Sequence, residues 1–365
     1  MAPAATTAAV PASTATGPVP PTPLLFARTF DDELVLSVPA PSEGATMSML
    51  TVAGDTIIGL AGQCDTSSGV EVVAFDRHSG QRRWTTPLDG AVTTRNSRVV
   101  ISDNVAVFGT GQAGVMLYGI DVRDGTQRWR RDMFRADLGV TVPVIIGQDA
   151  PDDYVALDPA TGTERWRRQT TAATLVAVDA ADVVVEQHAG RSQPDQTVTA
   201  LDATTGTELW TRPAADVFAG DHHTIVFNLP NDAGVVAIDR TTGEEKWRID
   251  SLIMLDPSNG PTLSNGRLAL YRQATGETVI ASLATGQTLW PVDTTVSADA
   301  TILGDVVVHF GAADDGPPTL ELLDASTGAH LGTIHTPPPE HDQVDVPYII
   351  TDGTLYGGRG CTGQG

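Results

Sequence analysis

AFDRHSGQRRW (Ala74–Trp84), GIDVRDGTQRW (Gly119–Trp129) and ALDPATGTERW (Ala156–Trp166) are three copies of one phrase. ALDATTGTELW (Ala200–Trp210) and AIDRTTGEEKW (Ala237–Trp247) repeat it, and ASLATGQTLW (Ala281–Trp290) and LLDASTGAHLG (Leu322–Gly332) are weaker copies. The Asp position holds Asp76, Asp121, Asp158, Asp202, Asp239 and Asp324, with Ser282 in the sixth copy. Four residues on stand Gly80, Gly125, Gly162, Gly206, Gly243, Gly286 and Gly328. Four further on stand Trp84, Trp129, Trp166, Trp210, Trp247 and Trp290, which are all the tryptophans of the chain, and then Gly332 in the seventh copy. The glycines recur about every 41 residues, the length of one four-stranded propeller blade.

Each position has a physical reason. The apolar run before the Asp reads as a strand. The Asp carboxylate accepts backbone N–H groups two or three residues on and so starts a tight turn. The Gly supplies the left-handed conformation of a bulged hairpin. The Trp then rides on one face of the returning strand, where a large flat ring can wedge against the next unit. A second run of β-branched residues opened by turn residues precedes each copy, as in DTIIGLAG (Asp55–Gly62), NVAVFGTG (Asn104–Gly111) and DVVVHFG (Asp305–Gly311). No segment keeps a helical period. A repeat that buries its wedge only against a neighbour has to stack into a ring or a capped array.

The expectation is an all-β chain, a single β-propeller of eight four-stranded blades: seven recognisable repeats and one composite blade. ARTFDDELVLSVP (Ala27–Pro39) reads as unpaired strand material, and YIITDGTLYGGRGC (Tyr348–Cys361) as the first half of a repeat. Pairing the two ends would close the ring and remove exposed sheet edges. Residues 24–365 form the propeller in this reading. Residues 1–23, Ala/Pro/Thr-rich and uncharged, read as a linker that cannot bury enough apolar surface to order itself.

The chain of 365 residues carries a formal net charge of −23, which opposes nucleic-acid binding. Lys246 is the single lysine among 22 basic residues, as high-GC codon usage or a salt-adapted host would give. No run of 18 or more apolar residues is present to span a bilayer. Residues 1–23 lack the basic start and apolar core of a signal peptide. A linker directly after Met1 suggests a tether to a membrane helix or lipid anchor upstream, and a full-length gene with neither would refute that expectation.

The A-x-D-x-x-T-G-x-x-x-W phrase resembles the PQQ-like repeat, which builds the propellers of quinoprotein alcohol dehydrogenases and of BamB-type outer-membrane assembly lipoproteins. The resemblance covers residues from about 50 to 335 and implies the fold far more strongly than a function. Ser282 and Gly332 depart from the pattern, so the inter-blade wedge is expected to be weaker at blades six and seven. The dehydrogenase reading would imply a Ca²⁺ site, a base carboxylate and a vicinal cysteine pair. Cys64 and Cys361 lie at opposite ends of the chain, and no matching ligand set is legible, so no cofactor and no metal is assigned.

Aligning GDTIIGLAGQC with DGTLYGGRGC puts Cys64 and Cys361 at equivalent positions of adjacent repeats. A disulfide between them would close a loop of roughly 300 residues, worth roughly 4–5 kcal/mol in the chain-entropy model, and would indicate an oxidising compartment. The alternative is two free thiols that share a repeat position.

Other chemistry is scarce. Adjacent His222 and His223 would point to opposite faces of a strand, against a shared metal. Asp31–Asp32, Asp152–Asp153 and Asp314–Asp315 read as turn formers, without the alternating spacing of a calcium loop. The Pro337–Pro339 run reads as an extended connector. No nucleophile elbow, zincin helix or phosphate-binding loop appears.

One region differs in charge. Residues 82–168 hold 12 Arg against 11 acidic residues, while the rest is strongly acidic. Arg82 and Arg83 precede Trp84; Arg128, Arg130 and Arg131 flank Trp129; Arg165, Arg167 and Arg168 flank Trp166. These arginines read either as a patch for an acidic partner, a phospholipid headgroup or a phosphorylated glycan, or as charge that discourages edge-to-edge pairing of outer strands. The function expected is a non-catalytic binding or scaffolding propeller of a bacterial envelope, periplasmic or on the cell surface, docking protein partners. The alternatives are a carrier of an envelope lipid or glycolipid, held in the channel or in a cleft at the weak wedges, and the sensor half of a membrane receptor or kinase.

Overall fold

A computed structural model describes residues 23–40, 45–63, 66–89, 99–110, 115–137, 144–170, 173–178, 183–188, 197–213, 216–229, 233–250, 252–254, 263–272, 274–292, 300–311, 319–335 and 348–358. Among them the β-branched runs become strands, no residue is helical, and the strands assemble into antiparallel sheets of a β-propeller. Seven sheets take their strands in chain order and are called blades one to seven. Blade one runs Ala45–Ala53, Thr56–Gln63, Thr66–Asp76, Arg82–Pro87, and its first and fourth strands are the two edges. Blade six adds a short extra pairing, Leu263–Ser264 with Arg267–Arg272. A further sheet joins the two ends of the chain: Leu34–Val38 pairs Leu25–Thr29, which pairs Thr354–Gly358, which pairs Tyr348–Thr351.

The fourth strands carry the repeat tryptophans and form the outer rim. The first strands lie toward the axis: that of blade one approaches those of blade two and of the terminal sheet. Apolar side chains on both faces of each sheet are buried against the neighbouring sheets. Ile58, Leu60 and Val72 of blade one pack on Phe108, Tyr118 and Ile120 of blade two. The terminal sheet is packed on both sides, with Leu25 and Leu36 against Met47 and Ile57 of blade one, and Phe26 and Leu355 against Val308 and Leu320 of blade seven. Strands buried on both faces read as continuous β-branched runs for this reason.

The motif turn is built as its chemistry requires. In blade one the Asp76 carboxylate accepts the backbone N–H of His78 and Ser79, and the Gly80 N–H closes the turn on the Asp76 carbonyl at 2.9 Å. The register slips between Ala74 and Phe75, the expected bulge. The seven repeat glycines all have φ between 67° and 76°. Asp31 and Asp32 form the hairpin turn of the terminal sheet, and Asp152 a blade-three turn. Asp314 and Asp315 lie outside the described residues.

Candidate functional site

The six tryptophans are used for inter-blade contact. Each indole N–H donates to a backbone carbonyl of the next blade: Trp84 to Val122 (3.0 Å), Trp129 to Pro159 (3.0 Å), Trp166 to Ala203 (2.7 Å), Trp210 to Arg240 (2.8 Å), Trp247 to Leu283 (2.7 Å) and Trp290 to Ala325 (3.2 Å). Each ring lies flat on the repeat glycine of that blade. A Cβ on Gly162 would sit 2.6 Å from the Trp129 ring. These glycines therefore serve twice, for positive φ and for the seat of the ring.

The wedges expected to be weak at blades six and seven are filled. With Ser282 in place of Asp, the turn still closes through the Gly286 N–H on the Ser282 carbonyl at 2.8 Å, and Trp290 still reaches blade seven. At blade seven the Trp position is Gly332 because another group occupies the space: a Cβ there would overlap the carbonyl oxygen of Phe30 in the terminal sheet. The same junction holds His335 Nδ1 2.8 Å from Asp32 Oδ2. On the other side, Leu36 and Val38 take the place of the missing wedge over Gly80, and Arg77 pairs with Asp352.

The sequence-marked arginines lie on the outer strands of blades one to three. Arg83, Arg128 and Arg165, each just before its Trp, reach back across the hairpin to the motif aspartate of their own blade: Asp76 at 2.6 Å, Asp121 at 3.0 Å through Nε, and Asp158 at 2.7 Å. Arg130 meets Asp89 at 3.1 Å. Arg131 and Arg167, from neighbouring blades, converge on Asp149 at 2.9 and 2.6 Å, and Arg167 also binds Asp153 and Glu164. Arg82 is exposed, and Arg168 also takes part in an interaction. The basic segment is thus largely paired with carboxylates of the same blades. Between blades one and two lies a depression of about 510 Å³ lined by Asp55, Thr56, Arg83, Asn104 and Arg123, whose arginines are held by Asp76 and Asp121.

These contacts shift the carboxylates. Arg83 holds Asp76 well below the usual carboxylate range, and Arg123 does the same to Asp121. The Thr242 N–H lowers Asp239, Thr327 lowers Asp324, and Arg77 lowers Asp352. Burial pushes Asp149 up, but hydrogen bonds from Arg167 and Arg131 outweigh it and leave it lowered. A carboxylate with a depressed folded-state value stabilises the fold above its unfolded value and loses that contribution as pH falls through the folded one. Urea unfolding should therefore show a falling midpoint below about pH 4, on top of any relief of self-repulsion as the net charge shrinks. A midpoint that climbs steadily down to pH 2.5 would contradict it.

The residue that precedes each Trp position forms a series that the repeat analysis did not take up. It is Arg83, Arg128 and Arg165 in blades one to three, Leu209 in blade four, Lys246 in blade five, then Leu289 and Leu331 in blades six and seven. The three leucines are exposed, as are Leu34 and Val35 on the outer strand of the terminal sheet. His222 and His223 are exposed in the turn before Thr224–Asn228. Among the described residues no three His, Cys, Asp or Glu side chains gather as a metal-ligand group. Cys64 and Cys361 lie outside the described residues.

Wedge, turn and stacked four-stranded sheets define the class: a β-propeller of PQQ-like repeats. The family model described as "Outer membrane protein assembly factor BamB" matches residues 24–142, 113–226 and 231–340, and the chain belongs to that family. Among solved structures, BamB from Moraxella catarrhalis is 19% identical with a TM-score of 0.54, over 86% of this chain and 94% of its own. The computationally designed Ika8 protein is 16% identical with a TM-score of 0.53, over 91% and 99%. Quinohemoprotein alcohol dehydrogenase from Comamonas testosteroni is 13% identical with a TM-score of 0.54, over 91% and 71%. At these identities the likeness is one of fold. No curated protein matches the sequence.

Proposed function

We propose that this chain is a non-catalytic propeller of a bacterial cell envelope that works outside the cytoplasmic membrane by docking protein partners on its rim and loops. The observation that carries the reading is membership of the BamB family across residues 24–340. The rim adds support. It is basic and ion-paired over blades one to three and aliphatic at blades six and seven and the terminal sheet, which gives different partners different chemistry to read. The lipid-carrier alternative keeps the channel as its place, since the junctions after blades six and seven are occupied by Trp290 and the Phe30 backbone.

The test is photo-crosslinking in the living cell from Glu208 and Lys246, exposed on the outer strands of blades four and five, with native mass spectrometry of the purified chain after incubation with a lipid extract of its own envelope. Discrete protein adducts together with a bare mass in lipid support docking. A lipid adduct that survives desolvation, without protein crosslinks, would replace docking by carriage.

An extracytoplasmic site also carries the expectation of a Cys64–Cys361 disulfide. Intact mass of material from an oxidising compartment should fall two hydrogens short of the reduced chain, and the shortfall should vanish in Cys361→Ser. Two thiols that both alkylate without reductant would remove the bond.

A further inference from the structure

Among the described residues the eight outer strands are protected unequally. Those of blades one to five each carry charge: RRWTTP (Arg82–Pro87), QRWRRDM (Gln127–Met133), ERWRRQ (Glu164–Gln169), ELWTRP (Glu208–Pro213) and EKWRID (Glu245–Asp250). Blade six has Pro291 within TLWPV (Thr288–Val292), and blade seven two histidines in HLGTIH (His330–His335). The terminal sheet ends in LVLSV (Leu34–Val38), with neither charge nor proline nor histidine. Among the described residues it is hydrogen-bonded on one side only, as the last strand of its sheet. Leu34 is 50% and Val35 48% exposed. A row of open backbone donors and acceptors beside exposed aliphatics is the edge that other strands guard with charge or proline.

We infer that Leu34–Val38 is a docking edge for an extended segment of a partner protein, added as an antiparallel strand, with apolar residues along its length and basic residues at its C-terminal end. Backbone hydrogen bonds along an open edge supply affinity in such strand addition, and side-chain pockets supply specificity. The charge requirement comes from the turn that leads into the strand. Asp31 and Glu33 are exposed there, and among the described residues neither is in an ion pair, whereas Asp32 is held by Arg28 and His335. An antiparallel guest brings its C-terminal end to this turn. A second copy of this chain fits poorly, because it would set the same carboxylates and two net charges of −23 against each other. The inference rests on the docking function proposed above and names its place.

The probe is a fluorescein-labelled peptide of alternating valine and threonine ending in two lysines, titrated with the full chain and read by fluorescence anisotropy. Saturable binding is expected, weakened about tenfold or more by Val35→Lys or Leu34→Lys, unchanged by Leu289→Lys on blade six, and weaker when the lysines are moved to the peptide's N-terminus. Asp31→Asn with Glu33→Gln should weaken the lysine-ended peptide and leave a glutamine-ended one unaffected. Both strand positions are half exposed, so the lysine variants should keep the parent thermal midpoint. Absence of saturable binding overturns the inference, as does equal binding by Val35→Lys and Leu289→Lys. Sedimentation showing a dimer that Val35→Lys dissolves would assign the edge to a second copy and overturn the peptide. Crosslinks from Glu208 and Lys246 are read on other blades, so this edge can fail while the docking function stands.

Discussion

Trp210→Ala is expected to lower the free energy of unfolding by about 3–5 kcal/mol, the range for removing a large buried aromatic. Trp210 is the most buried of the six wedges, at 9% exposure. Its ring stands edge-on to Phe227 of blade five at 6.0 Å and 81°, lies on Gly243 and donates to the Arg240 carbonyl at 2.8 Å. Truncation removes all three contacts and leaves a slot between blades four and five, because the flanking sheets are fixed by their other neighbours and cannot close in. Trp210→Phe separates the terms: the ring stays and the N–H goes, leaving the Arg240 carbonyl short of a donor at a cost of about 1–2 kcal/mol. Equilibrium urea unfolding followed by circular dichroism reads both. A loss under 1 kcal/mol for the alanine variant would mean that the wedge is not what couples these blades.

Gly332→Trp should destabilise the protein, although it restores the repeat. In the other six copies the indole lies over a glycine turn of the next blade, and the space exists because that turn has no side chain. After blade seven comes the hairpin of the terminal sheet, and the Phe30 backbone already fills the site. Even a Cβ overlaps its carbonyl oxygen, so an indole has to push the hairpin off the rim and with it the His335–Asp32 contact. Overpacking of this kind costs about 1–3 kcal/mol, or more where backbone must move. Limited proteolysis should show early cleavage within residues 23–40, and the urea midpoint should fall. A variant as stable as the parent would show that the terminal hairpin is seated elsewhere.

How much of this was legible in the residues follows from the range of each interaction. The turn chemistry was fully legible, since an Asp carboxylate on N–H groups two and three residues away, a glycine at positive φ and the following bulge all lie within one hairpin. The ion pairs of Arg83, Arg128 and Arg165 were legible in principle: a residue seven after the Asp stands across the same hairpin from it. Neither reading of these arginines, as a partner patch or as charge guarding outer strands, included that pairing. The Arg131–Asp149–Arg167 group joins two blades, and no local spacing reveals it. The adjacent histidines lie in the turn that leads into Thr224–Asn228, where Asp221 accepts the N–H groups of His223 and Thr224, a contact within three residues.

The sequence by itself determined the blade: its strand pattern, its turn, its bulge, its wedge and its repeat length, because each depends on residues within a few positions of one another. It also determined the family, because the phrase recurs often enough to be specific. Only the tertiary structure decided what each wedge rests on, since the acceptor lies in the following blade. It alone explained Gly332, whose neighbour Phe30 is at the other end of the chain, and it alone set the uncharged strand Leu34–Val38 at the rim beside seven guarded ones. Edge and interior strands can share one composition, and the difference appears only when the sheets are assembled and one side of a strand is left without a partner.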